Sequence, residues 1–325
     1  MQARNSKQLL IGVALFFFSA MMMTGCGGSS TGLMGGAIQG RTLSLIGTTS
    51  TLAGTAGTTG STDATGSAAS FNHPYDITTD RKNLYVADTG NNTIRKIVIA
   101  SGVVTTLAGT PGTTGSTDAT GSAARFDQPY DITTDETNLY VADLGNNTIR
   151  KIVIATGAVT TLAGTAGTTG STDATGSAAS FNIPMGITTD GVNLYVADYL
   201  NNTIRKIVIA TGAVTTLAGT AGTTGSTDAT GSAASFNYPN DITTDGVSLY
   251  VSDTGNGTIR KVAIATGAVI TLAGTAGTFG STDATGSAAS FKNPLGITTD
   301  GTRLYVCDVG PNLASPGNNT IRSIQ

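Results

Sequence analysis

The pattern that predicts the fold is clearest between residues 126 and 164, which read FDQPYDITTDETNLYVADLGNNTIRKIVIATGAVTTLAG. Four runs in it are rich in β-branched and aromatic residues, which favours strands, at 132–135, 138–143, 148–154 and 158–162. Turn-forming residues separate these runs. The third run is apolar on both faces, as expected of a strand that packs between two neighbouring layers. The stretch therefore predicts four short antiparallel strands joined by tight turns.

The same stretch recurs along the chain. The tetrapeptide Thr-Leu-Ala-Gly begins at residues 51, 106, 161, 216 and 271, and a Phe lies at 71, 126, 181, 236 and 291, so both recur every 55 residues. A period of this size is typical of solenoids and propellers. Four hairpin-linked strands per unit fit a propeller blade better than a coil of a β-solenoid, which is the alternative fold.

The two ends of the repeated region complement each other. The chain stops at residues 320–325, in a third strand, whereas residues 43–54 match the end of a third strand and a whole fourth strand. We therefore predict that the termini share one blade, which removes the exposed sheet edges of an open array. The predicted fold class is all-β: a five-bladed propeller of four-stranded antiparallel blades, closed by this shared blade.

Composition excludes several classes of function. The 325 residues include 44 glycines but only 11% charged residues, with one His, one Glu and a net charge of −3. One His cannot build a multi-histidine zinc or iron site. Because the sequence also has no basic run, we expect no nucleic-acid partner.

The N-terminal segment is predicted to be a targeting signal rather than part of the folded domain. Arg4 and Lys7 precede an apolar run at 9–23 that is too short to span a membrane but typical of a secretory signal. Thr24-Gly25-Cys26 then resembles a bacterial lipobox, in which the Cys is lipidated after cleavage. We expect a lipoprotein signal peptide at 1–25, a Gly/Ser-rich tether at 26–40 and the propeller at 41–325, with lipidation at Cys26. An ordinary signal peptide is the alternative.

Cys307 occupies the position at which the other units carry a small residue: Ala87, Ala142, Ala197 or Ser252. The sequence has two cysteines, so a lipidated Cys26 would leave Cys307 without a partner in the chain. We expect Cys307 to be a small buried residue rather than a reactive thiol.

The repeated unit resembles NHL repeats. The resemblance rests on Phe181-Asn182-x-Pro184-x-Gly186-Ile187, Asp190-Gly191, Leu194-Tyr-Val-Ala-Asp198, Asn201-Asn202, Ile204-Arg-Lys-Ile207 and Val214-Thr-Thr-Leu-Ala-Gly219, and it extends over nearly all of 41–325. Many NHL domains have six blades, and this sequence has five units. The resemblance implies a β-propeller that serves as a binding platform, and it implies no single chemistry.

Internal comparison of the units separates scaffold from candidate site. Positions just before and after the Pro that opens each innermost strand vary most, and the turn between the second and third strands varies as well, with a seven-residue insertion at 311–317 in the fifth unit. Both lie on one face of a propeller. The candidate binding residues at this channel mouth and loop face are His73, Tyr75, Asp76, Gln128, Tyr130, Asp131, Met185, Tyr199, Tyr238, Asn240 and Asp241. Drift on exposed loops is the alternative explanation.

Other repeated charges favour structural roles. An Asp and an Arg flank each second hairpin, as Asp88 and Arg95 do in the first unit. Five copies of a catalytic pair make no chemical sense, whereas an Asp accepts turn N–H groups and pairs with Arg. The Ser-Thr-Asp-Ala-Thr-Gly loops offer oxygen ligands for Ca²⁺, but one carboxylate per loop is poor for that ion, so we expect turns there.

Three hypotheses for function follow from this pattern. The first is a non-catalytic binding or scaffold module for a protein or glycan, lipid-anchored in a bacterial cell envelope, monomeric, without a cofactor, and touching the membrane only through its lipid. The second is a metal-dependent enzyme, because some propellers that resemble this one are lactonases or lyases with a channel metal. Asp76, Asp131 and Asp241 would then hold a cation such as Ca²⁺. The third is a structural adhesion element of the cell surface.

Overall fold

The computed structural model describes residues 27–28, 49–310 and 319–325 of the chain. The predicted signal peptide at 1–25, nearly all of the tether at 26–40 and the insertion at 311–317 lie outside the described residues. Within the described part of the chain, no helix is long and apolar enough to cross a membrane.

The strands group into five sheets that follow the repeats. The first strand is β1 (Gly27–Gly28). The first blade comprises β2 (Pro74–Thr79), β3 (Asn83–Asp88), β4 (Thr93–Val98) and β5 (Val103–Ala108). The second comprises β6 (Pro129–Thr134), β7 (Asn138–Asp143), β8 (Thr148–Val153) and β9 (Ala158–Ala163). The third comprises β10 (Pro184–Thr189), β11 (Asn193–Asp198), β12 (Thr203–Val208) and β13 (Ala213–Ala218).

The remaining strands form the fourth and fifth blades. The fourth comprises β14 (Pro239–Thr244), β15 (Ser248–Asp253), β16 (Thr258–Ala263) and β17 (Val269–Ala273). The fifth comprises β18 (Pro294–Thr299), β19 (Leu304–Asp308) and β20 (Thr320–Ile324). Single 3-10 turns lie in the loops between blades at Gly66–Ala68, Gly121–Ala123, Gly176–Ala178, Gly231–Ala233 and Gly286–Ala288, and after the second strands at Thr89–Asn91, Leu144–Asn146, Tyr199–Asn201 and Thr254–Asn256. The predicted five-bladed, all-β propeller is confirmed.

Each complete blade is an antiparallel meander from the channel outward. In the second blade, β6 pairs with β7, β7 with β8, and β8 with β9. The central pair has an unbroken register, with Asn138 opposite Val153 and Asp143 opposite Thr148. The β8–β9 pair has a register shift between Ile149 and Arg150. The four strands predicted from 126–164 are therefore observed.

Apolar side chains fill the space between neighbouring blades. Ile152 on β8 packs toward the first blade, in a cluster that includes Phe126. Ile149 on the same strand packs toward the third blade, with Phe181 and Leu194. All five side chains are fully buried. A third strand with apolar residues on both faces is therefore the sequence feature that lets blades stack around a ring.

A buried Arg on the third strand forms ion pairs that connect the loop between blades to the blade that follows it. The Arg150 guanidinium donates to Asp143 at 2.8 Å and to Asp118 of the loop between blades at 2.7 Å. The same guanidinium lies 5.1 Å from the Phe126 ring centroid, a cation–π contact. Burial raises the pKa of Asp143 to about 6, although Arg150 acts in the opposite direction. The structural role predicted for the Asp–Arg pairs is confirmed by these contacts.

The seam between the fifth and first blades differs from the other seams. The two-residue strand β1 pairs in parallel with β2, with Gly27 opposite Asp76. Ile321 on β20 is 62% exposed, whereas its counterpart Ile149 is fully buried. Gly54 donates its N–H to Gly66 at 3.0 Å, as Gly109 does to Gly121 at the end of β5.

The predicted shared blade depends on this seam. Residues 43–48 lie outside the described residues, and 49–54 are described without strand structure. The contact of Gly54 is the one expected at the end of a fourth strand. Pairing of this segment with β20 stays a prediction.

Candidate binding site at the channel mouth

The channel mouth is the ring of residues at which the five innermost strands begin. A Pro is the first residue of each innermost strand, where its missing N–H removes no ladder bond. The residues before and after the Pro at the mouth are His73, Tyr75 and Asp76; Gln128, Tyr130 and Asp131; Ile183, Met185 and Gly186; Tyr238, Asn240 and Asp241; Asn293, Leu295 and Gly296. Five different triplets therefore occupy equivalent positions.

The residue before the Pro has a left-handed backbone in four blades. The φ angles are 50° at His73, 54° at Gln128, 55° at Ile183 and 55° at Tyr238. Such angles are uncommon outside glycine, and for a β-branched residue such as Ile183 they are strained. We call these four residues the display positions. Strain repeated at the most variable position of the unit shows that the surrounding structure imposes the conformation.

In three of these blades, a side chain from the preceding blade holds the left-handed conformation of the display position. Asn147 accepts the backbone N–H of Ile183 at 2.7 Å, and Asn202 accepts that of Tyr238 at 2.8 Å. Asn92 accepts the backbone N–H of Gln128 at 2.8 Å. We call these three residues clamp asparagines.

The fourth unit lacks the clamp. Gly257 stands where the other units have the clamp asparagine, and Asn293 donates its N–H to Asp308 at 2.9 Å instead. Asn293 is also the one residue of the five before the Pro whose φ is not positive. From the second unit to the fifth, the left-handed backbone occurs where a clamp asparagine bonds to it; His73 in the first unit is left-handed without a clamp asparagine among the described residues.

Tyrosines from neighbouring blades pair across the mouth. The rings of Tyr75 and Tyr130 have centroids 3.7 Å apart, and those of Tyr199 and Tyr238 are 5.0 Å apart. Tyr130 is buried, Tyr75 and Tyr199 are partly buried, and Tyr238 is 40% exposed. Burial raises the pKa of Tyr75 to about 12, so its hydroxyl is a neutral hydrogen-bond donor at physiological pH. The four rings form an aromatic surface with one exposed end.

Apolar and amide side chains complete this surface. Leu144, Met185 and Tyr130 form a buried cluster against which Ile183 packs. Asn240 donates its Nδ2 hydrogen to Met185 Sδ at 3.3 Å.

Three carboxylates lie beneath the tyrosines and link neighbouring blades. Asp76 accepts the N–H of Ile132 at 2.8 Å, and Asp131 accepts that of Ile187 at 2.8 Å. Asp241 accepts the N–H of Ile297 at 2.7 Å. Each carboxylate thus holds the innermost strand of the next blade.

Glycine replaces Asp in the third and fifth units, and at Gly186 the reason is visible. A Cβ there would lie 2.6 Å from the Cα of Asp241 in the next blade. The backbones approach too closely at this point for any side chain.

Burial changes the acidity of the three carboxylates. It raises the pKa of Asp76 to about 7 and that of Asp131 well above its ordinary value, where the charge of Asp76 adds to the effect. The pKa of Asp241 is also raised well above its ordinary value, by burial and then by the charge of Asp131. Asp76 therefore exchanges its proton near neutral pH, and burial favours the protonated form of Asp131 and Asp241 as well.

The carboxylates and tyrosines line a cavity of about 20 Å³, which is room for about one water molecule. Cys307 also lines this cavity. Among the described residues, no group of three or more His, Cys, Asp or Glu side chains is arranged to hold a metal ion. Calcium at Asp76, Asp131 and Asp241 stays a prediction that this arrangement does not favour.

Cys307 differs from the expectation in one respect. Its burial agrees with the prediction, since it is 9% exposed. It is disulfide-bonded, however, and its partner falls outside the described residues. The expectation of an unpaired thiol is therefore wrong.

The structure brings most of the predicted site residues together. Asp76, Asp131, Asp241, Asn240, Tyr75, Tyr130, Met185, Tyr199 and Tyr238 form one continuous group. We call the five residues before the Pro, His73 and Gln128 among them, the rim of this group; the carbonyl of Gln128 accepts the N–H of Leu144 at 3.3 Å. His73 is exposed and contacts Asn72 through Nδ1 at 2.7 Å. Sequence reasoning missed the clamp asparagines. Their signal was the change to Gly257 in the unit that precedes Asn293.

The chain is similar to proteins of much greater length. It is 30% identical over 264 residues to Protein SUPPRESSOR OF QUENCHING 1, chloroplastic, of Arabidopsis thaliana, which covers 75% of this chain and 25% of that protein. It is 28% identical over 277 residues to NHL repeat-containing protein 2 of Homo sapiens, which covers 74% of this chain and 38% of that protein. The chain thus spans roughly a quarter to two fifths of the length of these relatives. No family model matches the chain.

Solved structures share the fold at low sequence identity. A streptogramin B lyase has a TM-score of 0.50 at 15% identity, over 78% of this chain and 68% of that chain. A protein of unknown function from Bacteroides thetaiotaomicron has a TM-score of 0.49 at 20% identity, over 84% of this chain and 74% of that chain. At such identities the likeness concerns the fold alone.

Proposed function

Since this chain is homologous to NHL-repeat proteins and forms a five-bladed β-propeller, we propose that it is a non-catalytic binding module whose partner, a protein or a glycan, contacts the channel mouth. The observation that carries the proposal is the display position. Four unlike side chains, at residues 73, 128, 183 and 238, share one strained backbone conformation. A scaffold that fixes the backbone while the side chain varies is suited to recognition.

Rigidity supports the same function. Binding costs free energy when loops must be ordered at the interface. Here the clamp asparagines order three of the four display positions before any partner arrives, and the clamps at Asn147 and Asn202 are buried. The mouth therefore needs little further ordering when a partner docks.

The proposal is tested by photo-crosslinking from the mouth in the intact cell envelope. Tyr238 is replaced by p-benzoylphenylalanine, an aromatic for an aromatic, and Val247 serves as the control site. Val247 is 73% exposed and lies at the opposite end of β14 from the mouth. We expect adducts from position 238 and none from position 247. Equal yields at both sites, or no adduct from either, would contradict the proposal.

Lipid anchoring in a bacterial envelope, at the outer membrane or cell surface, is part of the same proposal. It is supported by the charged start, the apolar run at 9–23 and the Thr24-Gly25-Cys26 sequence. A thioether on Cys26 would prevent that sulfur from forming a disulfide. Because Cys307 is disulfide-bonded and the sequence has only two cysteines, this bond counts against the anchor, and the two states exclude each other.

The anchor is tested by labelled palmitate with and without globomycin. We expect label on the wild type, none on Cys26→Ser, and retained label on Cys307→Ala. An intact mass that shows Cys26 linked to Cys307, without lipid, would overturn the anchor.

One observation favours a second function, catalysis at the mouth. Carboxyl groups with raised pKa values cluster at active sites, and Asp76, Asp131 and Asp241 are such a group. A metal-dependent lactonase-like or lyase-like enzyme requires bound metal there, and Asp131→Asn would abolish its uptake. Elemental analysis of the purified protein, and melting with and without chelator, distinguish this enzyme from the binding module.

A further inference from the structure

We propose that the channel mouth binds a neutral saccharide, which stacks on the Tyr199–Tyr238 pair and hydrogen-bonds to amides on the rim. This inference rests on the proposed binding function and narrows the partner to one chemistry. Three properties of the mouth carry it: the absence of Lys and Arg from the described residues that line its cavity, its mixture of aromatic and amide groups, and the occupied N–H groups of three innermost strands.

The charge of the mouth disfavours anionic ligands. Asp76, Asp131 and Asp241 lie beneath the aromatic surface, and no Lys or Arg is among the described residues that line the cavity. The nearest cation in sequence, Lys292, lies over the Phe279 ring with Nζ 6.0 Å from its centroid. A phosphate or a nucleic acid would therefore gain no ion pair from the residues that line the cavity.

The mixture of groups fits a ligand with both C–H faces and hydroxyls. Tyr238 offers an exposed aromatic ring, and its partner Tyr199 extends that surface inward. Aromatic rings supply apolar contact area, and a few polar groups fix orientation, as in most small-ligand sites. A pyranose presents its C–H groups to the rings and its hydroxyls to Gln128 and Asn293. A hydrocarbon ligand would leave those amides without partners, which is costly once they are covered.

Backbone bonding argues against an extended peptide. Peptides often bind by adding a strand to a sheet, through main-chain hydrogen bonds. At the mouth, however, the N–H groups of Ile132, Ile187 and Ile297 are already bonded to the three carboxylates. A peptide strand therefore finds these edge donors occupied, whereas a saccharide needs only side chains.

The repeats supply substitutions that the scaffold already tolerates. Tyr238→Gln introduces the residue that Gln128 provides at the same position and the same left-handed φ. Tyr199→Thr introduces the residue found at Thr89 and Thr254. Val247→Thr, on the opposite face, introduces the residue found at Thr137 and is the matched control.

The experiment is a titration of the full-length protein with cellohexaose, maltohexaose and chitohexaose, with hexagalacturonate as the anionic probe. Since the chain has no Trp, intrinsic fluorescence comes from its nine tyrosines, four of which, Tyr75, Tyr130, Tyr199 and Tyr238, lie at the mouth. Calorimetry gives the affinity independently, and thermal melting verifies that each variant is folded.

We expect at least one neutral hexasaccharide to bind and to quench tyrosine fluorescence. Tyr238→Gln and Tyr199→Thr weaken that binding at least tenfold without lowering Tm, and Val247→Thr leaves it unchanged. The proposal is overturned if no neutral hexasaccharide binds, if only hexagalacturonate binds, or if the variants bind as the wild type does. A protein adduct from position 238 with no saccharide binding would refute this inference and leave the binding module intact. No adduct and no saccharide binding would refute both.

Discussion

Ile183 has a backbone conformation that a β-branched residue rarely adopts, with φ at 55°. Such a conformation costs about 1–3 kcal/mol and persists only where neighbouring groups enforce it. The amide oxygen of Asn147 is the neighbouring group here, at 2.7 Å from the Ile183 nitrogen. Asn147 is itself left-handed, with φ at 57°, which Asn tolerates better than most residues. Two adjacent blades thus share the strain of one display position.

Two substitutions of Asn147 separate its two roles. Asn147→Gly copies the natural Gly257, keeps the left-handed backbone and removes only the acceptor, so we expect a loss of about 1 kcal/mol in the free energy of unfolding. Asn147→Ala also strains the left-handed backbone, so it loses about 1 kcal/mol more. Urea denaturation measures both. Equal stability of the two variants would show that the backbone at 147 carries no strain.

The raised pKa of Asp131 leads us to expect that the stability of the protein falls as pH rises. Its pKa in the folded protein is above its ordinary value, and that of Asp76 is raised to about 7. The native state therefore binds more protons than the unfolded chain between about pH 4 and pH 7, and stability falls as pH rises through this range. The pKa values of Asp143, Asp198 and Asp253 are raised to about 6 and add to the same slope.

Asp131→Asn removes part of that slope, because the amide oxygen still accepts the Ile187 N–H without a titrating proton. We expect a smaller fall in Tm between pH 4.5 and pH 7.5 than in the wild type. Asp135→Asn is the control, since hydrogen bonds lower the pKa of Asp135 and place its titration below this range. A slope that Asp131→Asn leaves unchanged would contradict the pKa assignment.

At the scale of the element, one blade depends on a buried charge. Arg150 is fully buried and joins its own hairpin, through Asp143, to the preceding loop, through Asp118. A buried pair stabilises little when compared with apolar packing, but the removal of one partner leaves the other charge uncompensated. The pair therefore sets the position of the long Gly/Thr/Ser loop against its blade.

Arg150→Gln is expected to lower the free energy of unfolding by about 3–5 kcal/mol, because it leaves Asp143 buried without its cation. Arg81→Gln is the control. Arg81 pairs with Glu136 at 3.0 Å, but both side chains are more than half exposed, so we expect a change of at most about 1 kcal/mol. Guanidinium denaturation measures both. Similar losses for the two variants would mean that burial of the Arg150 pair has no energetic effect.

Strands could be predicted from the sequence because each one carries its own pattern. The run at 148–154 is apolar on both faces, and that alone places it between two blades. The left-handed display positions could not be predicted in this way. At Gln128, Ile183 and Tyr238 the φ angle follows from an asparagine 36 residues earlier, in another blade. The sequence shows that the residue at position 183 differs between units, but it does not show which group fixes the backbone conformation there.

At the scale of the whole molecule, the sequence predicted which residues lie together at the channel mouth, but it did not predict the hydrogen bonds that they form with the next blade. Asp76, Asp131 and Asp241 come together because equal repeats form a ring. Their bonds to the next blade depend on the distance between innermost strands, which is a property of the closed assembly. For the same reason the requirement for Gly186 opposite Asp241 is visible only in the structure.

Closure of the ring gives a prediction at this scale. Ile321 is 62% exposed, which is anomalous for a residue whose counterparts are buried. If the predicted shared blade forms, residues 41–50 cover it. Deletion of 41–50 should then lower Tm by at least about 5 °C, which corresponds to one or two kcal/mol in a domain of this size.

Deletion of ten tether residues, 29–38, is the matched control and should leave Tm unchanged. Equal effects of the two deletions would refute the shared blade.

The clamped display positions make the order of the units along the chain the order of side chains around the mouth. Each unit contributes its own side chain to the same frame, so units can be exchanged without a change in the frame. An exchange of the first two units would move the His and the Gln to new neighbours while the clamp and carboxylate contacts keep equivalents, because both units carry a Tyr and an Asp after the Pro; the third unit must stay in place because Gly186 faces Asp241. The order of the side chains around the mouth can therefore be changed by an exchange of equivalent units, without a change in the backbone that carries them.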